Sequence, residues 1–424
     1  MALTTHTDEH IAIHRLANGF TVTLEPLPYL RSVSVGLWIR TGSGQERPEE
    51  NGLAHFLEHL FFKGTTTRSV RELMETVEGK GGQLNAFTER EYTCLYVRTL
   101  DRHIHSALEI LADIARNSTF AEFEKERNVV LEEIASIEDM PDEHVHDVLS
   151  EFHWPDHPLG RPISGSIESV SALTRDDVVG FYQRWYRPSG MFLSIAGSFD
   201  EEAVFDQVRE AFESWEDAET PPLPAAPEFH AGGLYVTRDI SQVHYCLAFP
   251  GVERFAEERF VCDLTSNILG GGSTSRLFER IREDAGLAYA VHTFHLFYRS
   301  TGMFGMYAAV APENFSRTRD MVFEEVRRLR DEGVSPGELE MNQEQLKGLM
   351  MMGLESTFSR MARMAKNMMF HGRIVPIEEV VARVDAVTPE QVLQFAEKTF
   401  QREQCALVVL GPERCVARFD RIAL

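Results

Sequence analysis

Cysteine is scarce in this chain: five in 424 residues, with no two in C-x-x-C spacing. Cys94, Cys246, Cys262, Cys405 and Cys415 form a sparse, odd set. Such a set lacks the framework of a disulfide-stapled fold and suits a reducing compartment. Long apolar runs are missing too. None reaches the ~18 residues of a membrane-spanning helix, so no membrane span is expected. Basic residues are outnumbered, 42 Lys and Arg against 66 Asp and Glu, for a formal net charge of −24. That balance argues against nucleic acid or anionic lipid over the general surface; it reads first as a means of solubility, and second as an acidic chamber that attracts basic peptides. The opening residues, MALTTHTDEHIAIHRLANG, have no apolar core like that of a secretory signal. They also carry Asp8 and Glu9, unlike an acid-poor transit peptide. The expected location is the cytoplasm.

What the chain does contain is a repeat. Residues 19–25 and 32–40 read as strands ahead of a helix around His55. Residues 233–237 and 242–249 read as strands ahead of a helix near 257–269, and Val33 and Val243 stand 210 residues apart. A strand over 92–99 and a helix over 101–116 parallel a strand over 303–310 and a helix over 312–330. So long a period indicates a duplicated domain rather than a solenoid. Size agrees, since 424 residues exceed one ordinary hydrophobic core. Between the halves, EDAETPPLPAAPEFHAGG is rich in Pro, Ala and acid and lacks periodicity. The expected organisation is residues 1–217, a linker over 218–232, and residues 233–424. The expected class is α+β: two homologous domains, each a mostly antiparallel sheet with helices on one face.

The first half carries His55-Phe56-Leu57-Glu58-His59, an H-x-x-E-H pattern inverse to the commoner H-E-x-x-H of zinc hydrolases. On a helix the two imidazoles and the carboxylate fall within an arc of about 100°. The surrounding LAHFLEHLFF is otherwise apolar, which marks a buried helix. Burying two His and a Glu there without partners is costly, and a metal ion resolves that cost. A shift of 210 residues carries His55 and His59 onto Thr265 and Leu269, so one zinc site per chain is expected.

A catalytic zinc usually takes a third protein ligand. The segment EFEKERNVVLEEIASIE, residues 122–138, supplies candidates. On a helical wheel Phe123, Val130, Ile134 and Ile137 form one apolar stripe, with Glu126 and Glu133 at its edge and Glu132 about 180° from Phe123. Glu133 is the expected ligand and Glu126 a support. A second histidine-rich stretch, residues 142–160, reads as a helix followed by a Pro/Gly loop. His144 and His146 diverge by about 200° on a helix, and Pro155 interrupts the His153/His157 pair.

Four blocks together resemble the pitrilysin/insulinase (M16) family of zinc peptidases, and most closely its processing-peptidase-like branch: GLAHFLEHLFFKGT (52–65), GGQLNAFTEREYTCLY (81–96), ERNVVLEEI (126–134) and GGGSTSRLFERIREDAGLAYAV (270–291). The resemblance implies the LuxS/MPP-like metallohydrolase fold and an endopeptidase that works within a closed chamber. It implies Zn2+ on His55, His59 and Glu133, with Glu126 supporting, and Glu133 lies 74 residues beyond His59 and seven beyond Glu126. Glu58 is then the general base. The family's substrate-carbonyl pair falls on Arg282 and Tyr289, and its substrate-pairing strand edge on Asn85 and Ala86. One such unit per chain implies a homodimer in which Arg282 and Tyr289 of one chain complete the site of the other; a heterodimer with a related subunit is also open. Peptides, basic ones included, are the implied substrates. The alternative is a non-catalytic subunit of a heterodimer, against which the intact His55/Glu58/His59 set argues. Small lyases with an inverted zinc motif fit neither the length nor the duplication.

Overall fold

A computed structural model of the chain describes residues 3–6 and 10–413. Cys415 lies outside them. The chain packs into two compact units, one holding residues up to Ala135 with Pro162–Pro224 and Met351–Pro376, the other Ser136–Arg161, Ala225–Met350 and the residues from Ile377 onward.

The first unit is built on seven strands: β1 (Leu3–His6), β2 (Ala12–Arg15), β3 (Thr21–Pro26), β4 (Ser32–Ile39), β5 (Gln83–Thr88), β6 (Thr93–Leu100) and β7 (Met191–Gly197). They lie in the order β1-β2-β3-β7-β4-β6-β5. Only the β3–β7 pair is parallel. Strands β4 and β7 sit mid-sheet and are buried along almost their whole length, so both faces of the sheet are covered. One face packs against a helical layer that includes Leu53–Phe61, Ile104–Asn117, Arg175–Trp185 and Glu201–Phe212. The other takes the single helix Thr357–His371, whose Met361, Met364 and Met368 lie on Trp38, Cys94 and Phe192. That helix runs so close over β4 that a Cβ at Gly36 would overlap Met361 Sδ. Trp38 Nε1 donates to the same sulfur at 3.1 Å.

The second unit repeats the plan with β8 (Gly232–Thr237), β9 (Val243–Pro250), β10 (Ala288–Phe297), β11 (Gly302–Val310) and β12 (Ala406–Gly411), in the order β10-β11-β9-β12-β8. This is the order β5-β6-β4-β7-β3 of the first sheet, and again one pair, β8–β12, is parallel. Helices Arg259–Gly270, Phe315–Glu332 and Pro389–Thr399 cover one face. Helix Pro141–His153 covers the other, setting Val145 and Leu149 on Cys246, Tyr307 and Val408. The two mixed, mostly antiparallel sheets are the duplicated α+β architecture expected from the sequence, with one correction: helices cover both faces of each sheet rather than one, because the central strands are apolar on both sides. A cut at 218–232 separates the two sheets along the chain, yet each sheet takes one covering helix from beyond that cut. Among the described residues no helix is long and apolar enough to cross a membrane.

Candidate metal centre

The H-x-x-E-H helix, Leu53–Phe61, buries Leu53, Ala54, Phe56, Leu57, Leu60 and Phe61 against the first core. Its start depends on Gly52, at φ +90, where a Cβ would stand 2.7 Å from Ser164 O and 2.8 Å from Gly165 Cα. Glycine offers no side-chain cap. The buried carboxylate of Glu46 serves instead, accepting Gly52 N–H at 3.0 Å and Ala54 N–H at 2.7 Å. A carboxylate at a helix N-terminus satisfies orphan donors and complements the helix dipole.

This helix packs beside β5, with Thr88 Oγ1 donating to Ala54 O at 3.5 Å. The third donor comes from helix Phe123–Glu138. Phe123, Val130 and Ile134 are buried there, and Glu132 is exposed. Glu133 Oε1 lies 3.5 Å from His55 Nε2, and Glu133 Oε2 lies 3.3 Å from His59 Nε2. One donor atom from each of the three residues falls within 4.8 Å of the other two, the one such set of His, Cys, Asp or Glu among the described residues.

These separations leave room for a metal ion between the donors. A charge-assisted N–H···O bond measures about 2.7–2.9 Å. Donors bound tetrahedrally at about 2.0–2.1 Å stand about 3.3–3.4 Å apart. The His2Glu donor set also matches the preference of zinc for imidazole and carboxylate. Glu133 is held well below the usual carboxylate range, by the imidazoles of His55 and His59 acting against its burial. At His59 burial favours the neutral ring, but the Glu133 hydrogen bond and the charges of Glu133, Glu58 and Glu126 outweigh it and raise the pKa. Metal binding therefore competes with protons for these groups.

Glu58 has a carboxylate oxygen, and His55 its Nδ1, buried without a hydrogen-bond partner among the described residues. Glu126 is almost wholly buried, with one oxygen 3.6 Å from His59 Nδ1 and the other 2.8 Å from Lys63 Nζ. Asn85 is exposed and Ala86 buried on β5, the edge strand of its sheet, and Asn85 Oδ1 accepts Ala86 N–H at 2.8 Å.

Arg282 and Tyr289 belong to the second unit. Arg282 lies in the π-helix Phe278–Asp284, a form often found at functional sites. Its Nη1 donates to Tyr289 O at 2.9 Å, and its guanidinium sits 4.7 Å from the Tyr289 ring centroid. Tyr289 is 80% exposed. At the positions 210 residues beyond His55 and His59, Thr265 and Leu269 are fully buried, and Thr265 Oγ1 donates to Val261 O at 2.7 Å. His144, His146 and His153 lie on the helix Pro141–His153, and none joins a metal-binding set. Lys63 and Glu46 are not among the site residues expected from the sequence. A basic residue four positions past His59 was a readable sign of the first. Glu46 acts across the 3-10 turn Pro48–Glu50 and leaves no such sign.

Residues 21–166 match the family described as insulinase (peptidase family M16), and residues 172–346 match that described as the peptidase M16 inactive domain. The chain is 40% identical over 397 residues to the uncharacterized zinc protease YmxG of Bacillus subtilis, covering 93% of this chain and 97% of the relative. It is 35% identical over 407 residues to an uncharacterized zinc protease of Streptomyces coelicolor, covering 94% and 88%. The fold is shared with a protease from Helicobacter pylori, at TM-score 0.88 and 20% identity, covering 97% of this chain and 99% of that one.

Proposed function

The chain belongs to the M16 (insulinase) family of peptidases, and from that premise we propose that it is a zinc-dependent endopeptidase. The observation that carries this reading is the convergence of His55, His59 and Glu133 beside the unpartnered Glu58 oxygen. One Zn2+ per chain is held by those three residues. Bound there, zinc supplies Lewis acidity and lowers the pKa of a water from about 15.7 towards 7. Glu58 accepts the proton of the attacking water and delivers it to the leaving amine. Arg282 and Tyr289 hold the substrate carbonyl oxygen as charge develops on it. An extended peptide adds to the free edge of β5 through the backbone at Asn85 and Ala86, a mode tolerant of sequence.

Peptides or unfolded segments are the substrate class, and the net charge of −24 favours basic ones. The working assembly is a closed chamber formed by two chains, each contributing Arg282 and Tyr289 to the zinc site of the other. A homodimer is the preferred form, and a related subunit can take the second place in a heterodimer. The cytoplasm is the proposed location. The test is Glu58→Gln. It is expected to retain one zinc per chain while kcat on a quenched basic peptide falls about 10²–10⁴-fold. Normal turnover by that variant overturns the base assignment. A zinc-loaded wild-type protein that cleaves no peptide favours a non-catalytic subunit instead.

A further inference from the structure

We propose that Lys63 is a positioning residue for the metal centre, acting through Glu126 on His59; the inference rests on the zinc reading above. Lys63 closes the C-terminal turn of the motif helix, its N–H donating to Leu60 O at 3.2 Å. It stands two residues past the helix end and four beyond His59, and both side chains reach Glu126. Its Nζ meets Glu126 Oε1 at 2.8 Å, and Glu126 Oε2 faces His59 Nδ1 at 3.6 Å, a small rotation from hydrogen-bond length. The carboxylate is thus a two-ended strut, tied to Lys63 at one oxygen and turned to the imidazole by the other.

Two consequences follow. First, the strut fixes the ring. Glu126 can only accept, so when a metal ion occupies Nε2, beside Glu133, the ring hydrogen of His59 sits on Nδ1 and faces Glu126. Second, it balances charge. The Glu126 side chain is 3% exposed, and a carboxylate so buried needs a paired cation. Lys63, 23% exposed, is that cation. With Glu126 paired to Lys63, Glu133 is left as the carboxylate that faces the metal. Without Lys63 the Glu126 carboxylate is free to rotate, and His59 loses its fixed orientation.

The test compares Zn2+ affinity, by chelator competition on the metal-free full chain, in wild type, Lys63→Met, Lys63→Arg, Glu126→Gln and the Lys63→Met/Glu126→Gln double variant. Lys63→Met is expected to bind zinc about 10–100-fold more weakly, the range for lost outer partners of metal-binding histidines. Lys63→Arg keeps the cation and is expected to recover most of that loss. In the Glu126→Gln background, where the amide needs no cation, Lys63→Met is expected to change affinity by no more than about twofold. Thermal melts of the metal-free proteins check folding. If Lys63→Met does not fold alone, the double variant against Glu126→Gln still carries the comparison. Wild-type affinity in Lys63→Met, or an equal loss in both backgrounds, overturns the proposal. Failure of the wild-type chain to bind Zn2+, with His59→Ala no different, overturns the zinc reading itself.

Discussion

Replacing Glu46 by Ala would take both acceptors from the start of the motif helix. Gly52 N–H and Ala54 N–H now end on one buried carboxylate, at 3.0 and 2.7 Å. Each hydrogen bond to a charged group contributes about 1.5–3 kcal/mol. The space vacated by the carboxylate can admit water that recovers part of this, so a net loss of about 3 kcal/mol is expected. With a urea m-value of about 2–3 kcal/mol/M, the midpoint falls by roughly 1–1.5 M. Glu46→Gln keeps one carbonyl acceptor but sets an amide donor against the other N–H, so it should fall between wild type and Ala. His55 stands one residue beyond Ala54, so loosening this turn should also weaken zinc binding. Hydrogen exchange at the Gly52 and Ala54 amides reads the local effect directly. An unchanged urea midpoint in Glu46→Ala, with both amides still protected, would refute the argument.

Two further outcomes follow from the same packing. Gly52→Ala places a Cβ 2.7 Å from Ser164 O at a left-handed φ, so a loss above about 3 kcal/mol or insoluble expression is expected, and a soluble protein with an unchanged melting temperature refutes it. His153 is fully buried with neither ring nitrogen hydrogen-bonded among the described residues, and burial, aided by the charge of His230, depresses its pKa to about 3. The unfolded chain therefore takes up a proton near pH 6.5 that the folded chain resists. Stability from this group is intact above that pH and declines as pH falls towards 3, by about 2 kcal/mol at pH 5. His153→Leu should flatten that slope in urea titrations at pH 7 and pH 5; an equal slope in both proteins contradicts it.

Much of this architecture could be read before any coordinates. The 210-residue offset reappears as two sheets of matching strand order, because alternating burial and turn residues are local signals. The wheel drawn on residues 122–138 separates exposed Glu132 from buried Glu126, because a helix keeps its period whatever it packs against. Local pattern could not say which sheet an amphipathic helix would cover. Helix Thr357–His371 lies beyond the linker, yet its methionines close the face of β4 and β7; pairing of that kind depends on the shape of two distant surfaces. Glu46 was hidden for a related reason. A carboxylate that reaches forward across an irregular turn has no periodicity to betray it.

The covering helix over β4 also sets a timetable. Strand β7 ends at Gly197, but the helix that seals its outer face ends at His371. A ribosome working at about 5–20 residues per second needs roughly 9–35 s to deliver the intervening ~170 residues. Through that interval Trp38, Cys94 and Phe192 belong to a nascent sheet with one bare wall. The second sheet has no such wait, since its helix Pro141–His153 is made before its first strand. Synthesis of this chain is therefore asymmetric in time although its product is a duplication in space, and the half that carries the zinc motif is the one completed from afar.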